Sequence, residues 1–199
     1  AQTLITFAAI AALTSPALAR AGDPITLTQV SRDDEVAMQC QSPVWAGADT
    51  PAPMLTYEVN DRSSRIYLRV ARQQGDAWQV EEVPLVAAGT PGSFVMSESW
   101  VDHAAAWVDE DGFFFTRTLE SEPALYYYDI APHKVPWAAG AVEDPAVSPD
   151  GTKLVVSSTT DAGTELLVSE INRWDDARAL TESPSVVEHS PTWCPDGNT

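Results

Sequence analysis

The chain has 199 residues, of which 29 are acidic and 11 basic, and its formal net charge is −18 at pH 7. This charge repels phosphate backbones and anionic lipid, so nucleic acids and membrane surfaces are disfavoured as partners. The three histidines and two cysteines lack the spacing of a zinc site, and no Gly-x-Ser-x-Gly nucleophile motif is present. We therefore expect no catalytic residue, no metal ligand and no resident cofactor.

The first 21 residues are predicted to be a signal peptide. A ten-residue apolar stretch, Leu4–Leu13, is followed by the helix-breaking Pro16 and by the small residues at 17–19 that signal peptidase requires. Cleavage after Ala19 or Ala21 fits this pattern. The alternative, an uncleaved anchor, is disfavoured by the short apolar core and the proline. The sequence thus predicts a periplasmic or secreted protein that has no membrane span after cleavage.

A repeat of about forty residues organises the rest of the chain. Its clearest copies are Asp144–Gly151 (DPAVSPDG) and Ser190–Gly197 (SPTWCPDG), in which both prolines, the aspartate and the glycine recur 46 residues apart. Weaker copies lie earlier in the chain. One equivalent position is occupied, in chain order, by Trp45, Trp107, Val147 and Trp193.

Each copy is followed by stretches that are rich in β-branched and aromatic residues and bounded by turn formers. The predicted strand pairs are Met54–Val59 with Arg65–Val70, Phe113–Thr118 with Ala124–Ile130, and Lys153–Ser158 with Glu165–Ile171. A last short strand ends each copy. Four short strands in forty-odd residues are typical of a β-propeller blade.

The predicted fold class is therefore all-β: a β-propeller of four-stranded antiparallel blades, incomplete, with about three and a half blades present. Residues 22–199 form this partial propeller. The blades are expected at approximately 42–100, 101–140 and 141–186, and the next one starts at 187–199.

Two Pro-Asp-Gly steps are predicted to be turns that connect an innermost strand to the second strand of its blade. Proline presets φ at the first corner, and glycine takes the left-handed conformation without a Cβ clash. The residues assigned to these turns are Pro149, Asp150, Gly151, Pro195, Asp196 and Gly197. The Trp or Val that precedes each step is expected to pack between blades.

These motifs resemble the TolB-type, WD-repeat-like propeller family, whose blades carry a Pro-x-Trp-Ser-Pro-Asp-Gly core. The likeness is best over 141–199, where Cys194 replaces the usual serine and Val147 the usual aromatic residue. The resemblance implies a propeller, commonly of six blades, that is exported to the periplasm and used for binding. Prolyl-oligopeptidase-family hydrolases carry similar repeats ahead of a catalytic domain, so a propeller domain of such a hydrolase is the alternative.

Acidic residues and two histidines cluster directly ahead of the predicted innermost strands. In a propeller this connection opens on the channel mouth, where loops commonly bind ligands. The six candidate binding residues are Asp102, His103, Glu143, Asp144, Glu188 and His189. We expect a protein or peptide partner there. Two alternatives stay open: a hard cation such as Ca²⁺, and a structural role in which these side chains cap the inner strands by hydrogen bonds.

Overall fold

The structure is a computed structural model that describes residues 39–47, 50–60, 65–84, 100–119, 121–137, 140–183 and 185–197. The predicted signal peptide, residues 1–21, lies outside these ranges. Within them, the only helical element is the short 3₁₀ helix Trp174–Asp176. None of the described residues forms a helix of the length and apolarity that a membrane crossing needs.

Twelve strands form three four-stranded units across the described ranges. The first unit contains β1 (Gln39–Trp45), β2 (Met54–Asn60), β3 (Ile66–Gln74) and β4 (Ala77–Glu82). The second contains β5 (Trp100–Trp107), β6 (Phe113–Leu119), β7 (Glu122–Tyr128) and β8 (Pro132–Lys134). The third contains β9 (Ala141–Val147), β10 (Lys153–Thr160), β11 (Gly163–Glu170) and β12 (Arg178–Ala179).

Within each unit, every strand pairs antiparallel with the next strand along the chain. Each unit is therefore an up-and-down meander, and the all-β prediction is confirmed. The three predicted strand pairs correspond to β2 with β3, β6 with β7, and β10 with β11.

Two single parallel bridges lie at equivalent places, one between the first two units and one after the third. The bridge between Ile66 and Val101 links β3 to β5 and merges the first two units into one sheet, while the third unit forms a sheet of its own. A second parallel bridge, between Thr164 and Val187, links the third unit to residues 185–197. We call residues 185–197 the fourth segment, because they continue the repeat.

Two of the three hydrophobic clusters among the described residues lie between units, whereas the third is built almost entirely from the first unit. Side chains alternate along a strand, so consecutive residues of β6 serve two different interfaces. Phe113 and Phe115 pack in one cluster with Leu68 of the first unit, whereas Phe114 packs in another with Leu154 of the third. Because the same strand contributes to both clusters, the units stack as layers.

One irregularity recurs in the first strand of every unit. The register with the second strand shifts there, as in a β-bulge, and the bulged residue adopts a left-handed backbone. The positive φ angles are 50° at Ser42, 55° at Ala104, 50° at Asp144 and, in the fourth segment, 54° at Ser190. A left-handed conformation is unfavourable for serine and alanine, and aspartate adopts it only occasionally. Its recurrence therefore marks a built-in feature that divides each inner strand into two parts.

The Pro-Asp-Gly steps lie in tight turns after the inner strands. Gly151 N donates to Ser148 O at 2.8 Å, and Gly197 N donates to Cys194 O at 2.9 Å. Both glycines are left-handed, with φ of 68° and 70°. The second unit turns differently, because Asp109 Oδ1 accepts hydrogen bonds from two backbone N–H groups of its longer loop.

Candidate functional site

A layer of polar side chains occupies the start of the inner strands, on the side of the bulge away from the Pro-Asp-Gly turns. The inner-strand position four residues before the equivalent Trp or Val is polar in every copy: Gln41, His103, Glu143 and His189. The residues that pair with the first three on the second strand are also polar: Glu58, Thr116 and Ser157. We call these seven residues the polar layer.

The second-strand members of the layer are buried, whereas Gln41 and His189 are exposed, and the hydrogen bonds of the layer are incomplete within the described ranges. Directly opposed residues of an antiparallel pair project from the same face of the sheet, so each blade presents its two polar side chains together. Glu58, Thr116 and Ser157 are only 6%, 0% and 3% exposed. The atoms His103 Nε2, Thr116 Oγ1 and Ser157 Oγ are buried and find no hydrogen-bond partner among the described residues. A buried polar atom without a partner costs about 1–3 kcal/mol, so an added hydrogen-bonding group at this layer would be stabilising.

Two carboxylates, Glu58 in the layer and Asp144 beside it, accept hydrogen bonds from the bulged residue of the next repeat. Glu58 accepts from the Gln41 side chain at 2.9 Å and from Ala104 N, in the second unit, at 3.4 Å. Asp144 Oδ2 accepts from Ser190 N, in the fourth segment, at 2.9 Å. This Asp144 contact is of the kind that the structural alternative describes, and the binding role predicted for Asp144 stays a prediction.

The tryptophans of the repeat fasten neighbouring inner strands to each other. Trp107 Nε1 donates to Val44 O at 3.2 Å, and Trp193 Nε1 donates to Ala146 O at 2.9 Å. The two acceptors are themselves equivalent, because each directly precedes the repeat's Trp or Val position. Val147 has no N–H on its side chain, so the second and third units lack this bond.

Asp102 belongs to the interior and not to the solvent-facing site. Its carboxylate is bound at both oxygens by Arg117, at 2.6 Å each, and both side chains are 0% exposed. Burial raises the pKa of Asp102, and the Arg117 guanidinium opposes this rise. Arg117 also donates to Pro84 O of the first unit at 3.2 Å. Arg117 thus occupies both Asp102 oxygens in this arrangement, and the binding role predicted for Asp102 stays a prediction.

The other candidates remain nearer to solvent. His189 is exposed, with Nδ1 3.0 Å from Ser190 Oγ, while His103, Glu143 and Glu188 are partly buried. Glu188 Oε2 is buried and has no hydrogen-bond partner among the described residues. Their predicted role in binding stays a prediction.

The six turn residues lie at the other end of the inner strands. The Ser148 hydroxyl, and then Thr152, donate hydrogen bonds to Asp150 and lower its pKa to about 2. A shallow cleft lined by Lys153, Glu170 and Arg173 lies at this same end of the third unit, away from the polar layer. The two ends of the blades thus differ in kind: one holds turns and the other holds the candidate site.

The described residues bring together no group of three or more His, Cys, Asp or Glu side chains that could hold a metal ion. The Ca²⁺ alternative accordingly gains no geometric support from them. Four members of the site were not found from the sequence: Gln41, Glu58, Thr116 and Ser157. Gln41 could have been found by its spacing of four residues from Trp45, whereas the other three depend on strand register.

With the fold described, the chain can be compared with known proteins. No family model matches it, and no curated protein matches it. Solved structures do resemble it. TolB from Acinetobacter baumannii matches with a TM-score of 0.55 and 14% identity over 80% of this chain and 36% of that one. A structure described as TolB from Agrobacterium tumefaciens matches with a TM-score of 0.52 and 12% identity over 80% of this chain and 68% of that one.

A structure from a study of two prolyl endopeptidases matches with a TM-score of 0.54 and 15% identity over 84% of this chain and 25% of that one. The chain thus spans little more than a third of the A. baumannii TolB. At these identities the likeness shows the fold alone. The chain is a propeller-type domain, and its four-stranded units are TolB-like blades.

Proposed function

We propose that this chain is part of an exported, non-enzymatic propeller that binds a protein or peptide at its polar layer. The observation that supports this most is the recurrence of a polar pair, one side chain on each of two strands, at the same height in all three blades. Apolar clusters around Phe113 and Leu154 lie elsewhere on the same inner strands. Further blades would close the ring around this layer.

The chemistry of the layer favours a basic, hydrogen-bonding ligand. Its titratable members are carboxylates and imidazoles, and the whole chain carries a net charge of −18. A peptide with basic side chains would complement the negative charge. Its backbone groups could form hydrogen bonds with His103 Nε2 and Ser157 Oγ, which have no partner among the described residues. We include no cation in the proposal, because one carboxylate oxygen of Asp144 already accepts a hydrogen bond from Ser190 N.

Site-specific photo-crosslinking tests the binding proposal. A photoreactive residue placed at His189 samples the polar-layer end, and one placed at Ile130 samples the opposite end, where the side chain is 89% exposed. In periplasmic extract of cells that make the protein, we expect a discrete adduct from the His189 position and none from Ile130. Glu143→Gln should weaken that adduct. Equal labelling from both positions would rule out a binding site at this end.

The export proposal rests on the sequence pattern of residues 1–21 and needs a separate test. Residues 1–38 fused to alkaline phosphatase should give active enzyme outside the cytoplasm, since that enzyme needs an oxidising compartment. Deletion of Leu4–Leu13 should abolish the activity. Equal activity with and without the deletion would contradict export by this segment.

A second candidate is favoured by one observation. The likeness to the prolyl endopeptidase structure, with a TM-score of 0.54, is as strong as the likeness to TolB. The chain would then be the propeller domain of a prolyl-oligopeptidase-type serine hydrolase. Reading the coding sequence beyond codon 199 separates the two: more blades followed by a stop favour binding, whereas an α/β-hydrolase pattern with Gly-x-Ser-x-Gly favours the hydrolase.

A further inference from the structure

Three kinds of contact fasten the inner strands of successive units: the indole bond, the carboxylate-to-bulge bond and the parallel bridge. All three occur between the first and second units, and all three occur again between the third unit and the fourth segment. The residues that provide them are Trp107, Glu58 and Ile66 in the first case, and Trp193, Asp144 and Thr164 in the second. We call the remaining contact, between the second and third units, the middle joint.

The middle joint lacks the first two contacts because the residues at the equivalent positions do not carry the necessary groups. Val147 replaces the tryptophan of the repeat and has no N–H on its side chain. The two positions that hold a carboxylate at the other joints hold Thr116 and Ala104 in the second unit. A threonine hydroxyl is a weaker acceptor than a carboxylate, and an alanine side chain accepts no hydrogen bond.

A proline occupies the bridge position of the middle joint. Ile66, Pro123 and Thr164 are equivalent, because each is aligned through a second strand with the residue six places before the repeat's Trp or Val. Ile66 and Thr164 form the two parallel bridges, whereas Pro123 has no backbone N–H to contribute to one. Among the described residues, no bridge links the second unit to the third, which forms a separate sheet.

Two buried polar atoms of the second unit face the middle joint. Residues two apart on a strand share a face, so Thr116 projects to the same side as Phe114, which packs in one cluster with Leu154 of the third unit. His103 is paired with Thr116 and therefore lies on that side as well. His103 Nε2 and Thr116 Oγ1 have no hydrogen-bond partner among the described residues. Water could satisfy both atoms if the joint opened, so their burial disfavours the closed joint.

We propose that the middle joint is an opening seam, at which the inner strands β5 and β9 separate while the joints on either side stay closed. The apolar cluster around Phe114 and Leu154 holds the two units together along the rest of the joint and acts as the pivot. Opening exposes His103 and Thr116, which belong to the polar layer. The opening needs no ligand, so it is tested on the chain alone and does not depend on the binding function proposed above.

Thiol labelling tests the seam in the full chain, after the native cysteines have been removed as Cys40→Ala and Cys194→Ser. Thr116→Cys places a thiol that faces the middle joint. Ala105→Cys is the matched control, because it lies in the same unit but in the cluster shared with the first unit. Both native side chains are buried, with 0% and 9% exposure. The small uncharged reagent methyl methanethiosulfonate should modify the Thr116→Cys variant roughly tenfold faster, the effect of the missing hydrogen bonds. Unfolding of the whole unit would instead label both variants equally.

Restoring the missing contacts should close the seam. In the Thr116→Cys variant, Val147→Trp supplies an indole donor for Ala106 O and should slow labelling about fivefold, the effect of one net hydrogen bond. Val147→Phe adds an aromatic ring without the N–H and should not slow it. Pro123→Thr introduces the residue of the third unit's bridge and should also slow labelling, which gives a second test if Val147→Trp does not fold. Far-UV circular dichroism would confirm β-structure in every variant. Equal labelling of the Thr116→Cys and Ala105→Cys variants would overturn the proposal, as would labelling that neither restoring change slows.

Discussion

The buried pair between Asp102 and Arg117 allows the sharpest prediction about stability. Both side chains are fully buried, and two hydrogen bonds of 2.6 Å join them. Asp102→Asn would leave the guanidinium buried without its counter-charge. Removing one partner of such a pair costs about 3–5 kcal/mol, which for a domain of this size lowers the melting midpoint by about 6–20 °C.

Removal of the other partner should behave differently with pH. Arg117→Met leaves the Asp102 carboxyl buried, where desolvation already raises its pKa, and takes away the guanidinium that opposes the rise. A group whose pKa is raised on folding stabilises the fold below its unfolded pKa, and this contribution is lost as the pH rises through the folded pKa. The Arg117→Met variant should therefore lose stability as the pH rises from acid towards neutral, more steeply than the parent chain.

The double variant Asp102→Leu/Arg117→Met provides the control. Replacing both charges by apolar side chains leaves no uncompensated ion, and such replacements are often neutral or stabilising. Urea unfolding, followed by tryptophan fluorescence, should show the double variant to be more stable than either single variant. Single variants that lose under about 1 kcal/mol, with strictly additive effects, would refute the assignment of this pair as a buried ionic contact.

Further predictions follow from the turns and the inter-blade bonds. Trp107→Phe removes the indole donor and should lower the free energy of unfolding by about 1 kcal/mol in urea titrations. An unchanged free energy of unfolding would show that the hydrogen bond from Trp107 to Val44 O does not stabilise the fold. The pKa of Asp150 is lowered from 3.8 to about 2, so its contribution is present above pH 3.8 and is lost as the pH falls towards 2. Asp150→Asn should flatten the fall of the melting midpoint between pH 5 and 2, and parallel profiles would contradict this. A Cβ at Gly112 would lie 2.8 Å from Tyr128 O, whereas one at Gly151 meets nothing closer than 3.4 Å at a left-handed φ. Gly112→Ala should therefore cost about 1–3 kcal/mol and Gly151→Ala about 1 kcal/mol, and the reverse order in thermal melts would contradict the packing.

Local patterns were sufficient to predict the meanders. The stretch Lys153–Ser158 is rich in β-branched residues and follows a Pro-Asp-Gly step, and it forms most of β10. Equivalent patterns predicted β6 and β7. The structure of such segments can be predicted from their residue types and turn residues, which are local features of the sequence and do not depend on the rest of the fold.

Local residue patterns did not predict the bulges or the roles of individual site residues. Ser42, Ala104, Asp144 and Ser190 share a left-handed backbone and lie three residues before the repeat's Trp or Val position, but their residue types differ and do not by themselves predict that backbone. At two of these bulges the backbone N–H meets a carboxylate of the preceding unit: Ala104 N meets Glu58, and Ser190 N meets Asp144. The sequence likewise could not separate buried Asp102 from exposed His189, because burial depends on register with Arg117.

Repetition explains how these few contacts are sufficient to order the stack. The indole bond, the carboxylate-to-bulge bond and the parallel bridge each occur at least twice, between units one repeat apart. Repeat architectures draw stability from such nearest-neighbour interfaces. The polar layer continues from blade to blade because its paired residues occupy equivalent positions on the first two strands of each blade.

Hydrogen–deuterium exchange, resolved by strand, tests the central claim that the chain consists of stacked four-stranded blades. The second strands β2, β6 and β10 are each paired on both sides, whereas the last strands β4, β8 and β12 are each paired on one. The account predicts slow amide exchange in every second strand and faster exchange in every last strand, repeated three times along the chain. Free exchange in β2, β6 or β10, or protection in β12 equal to that in β10, would contradict it.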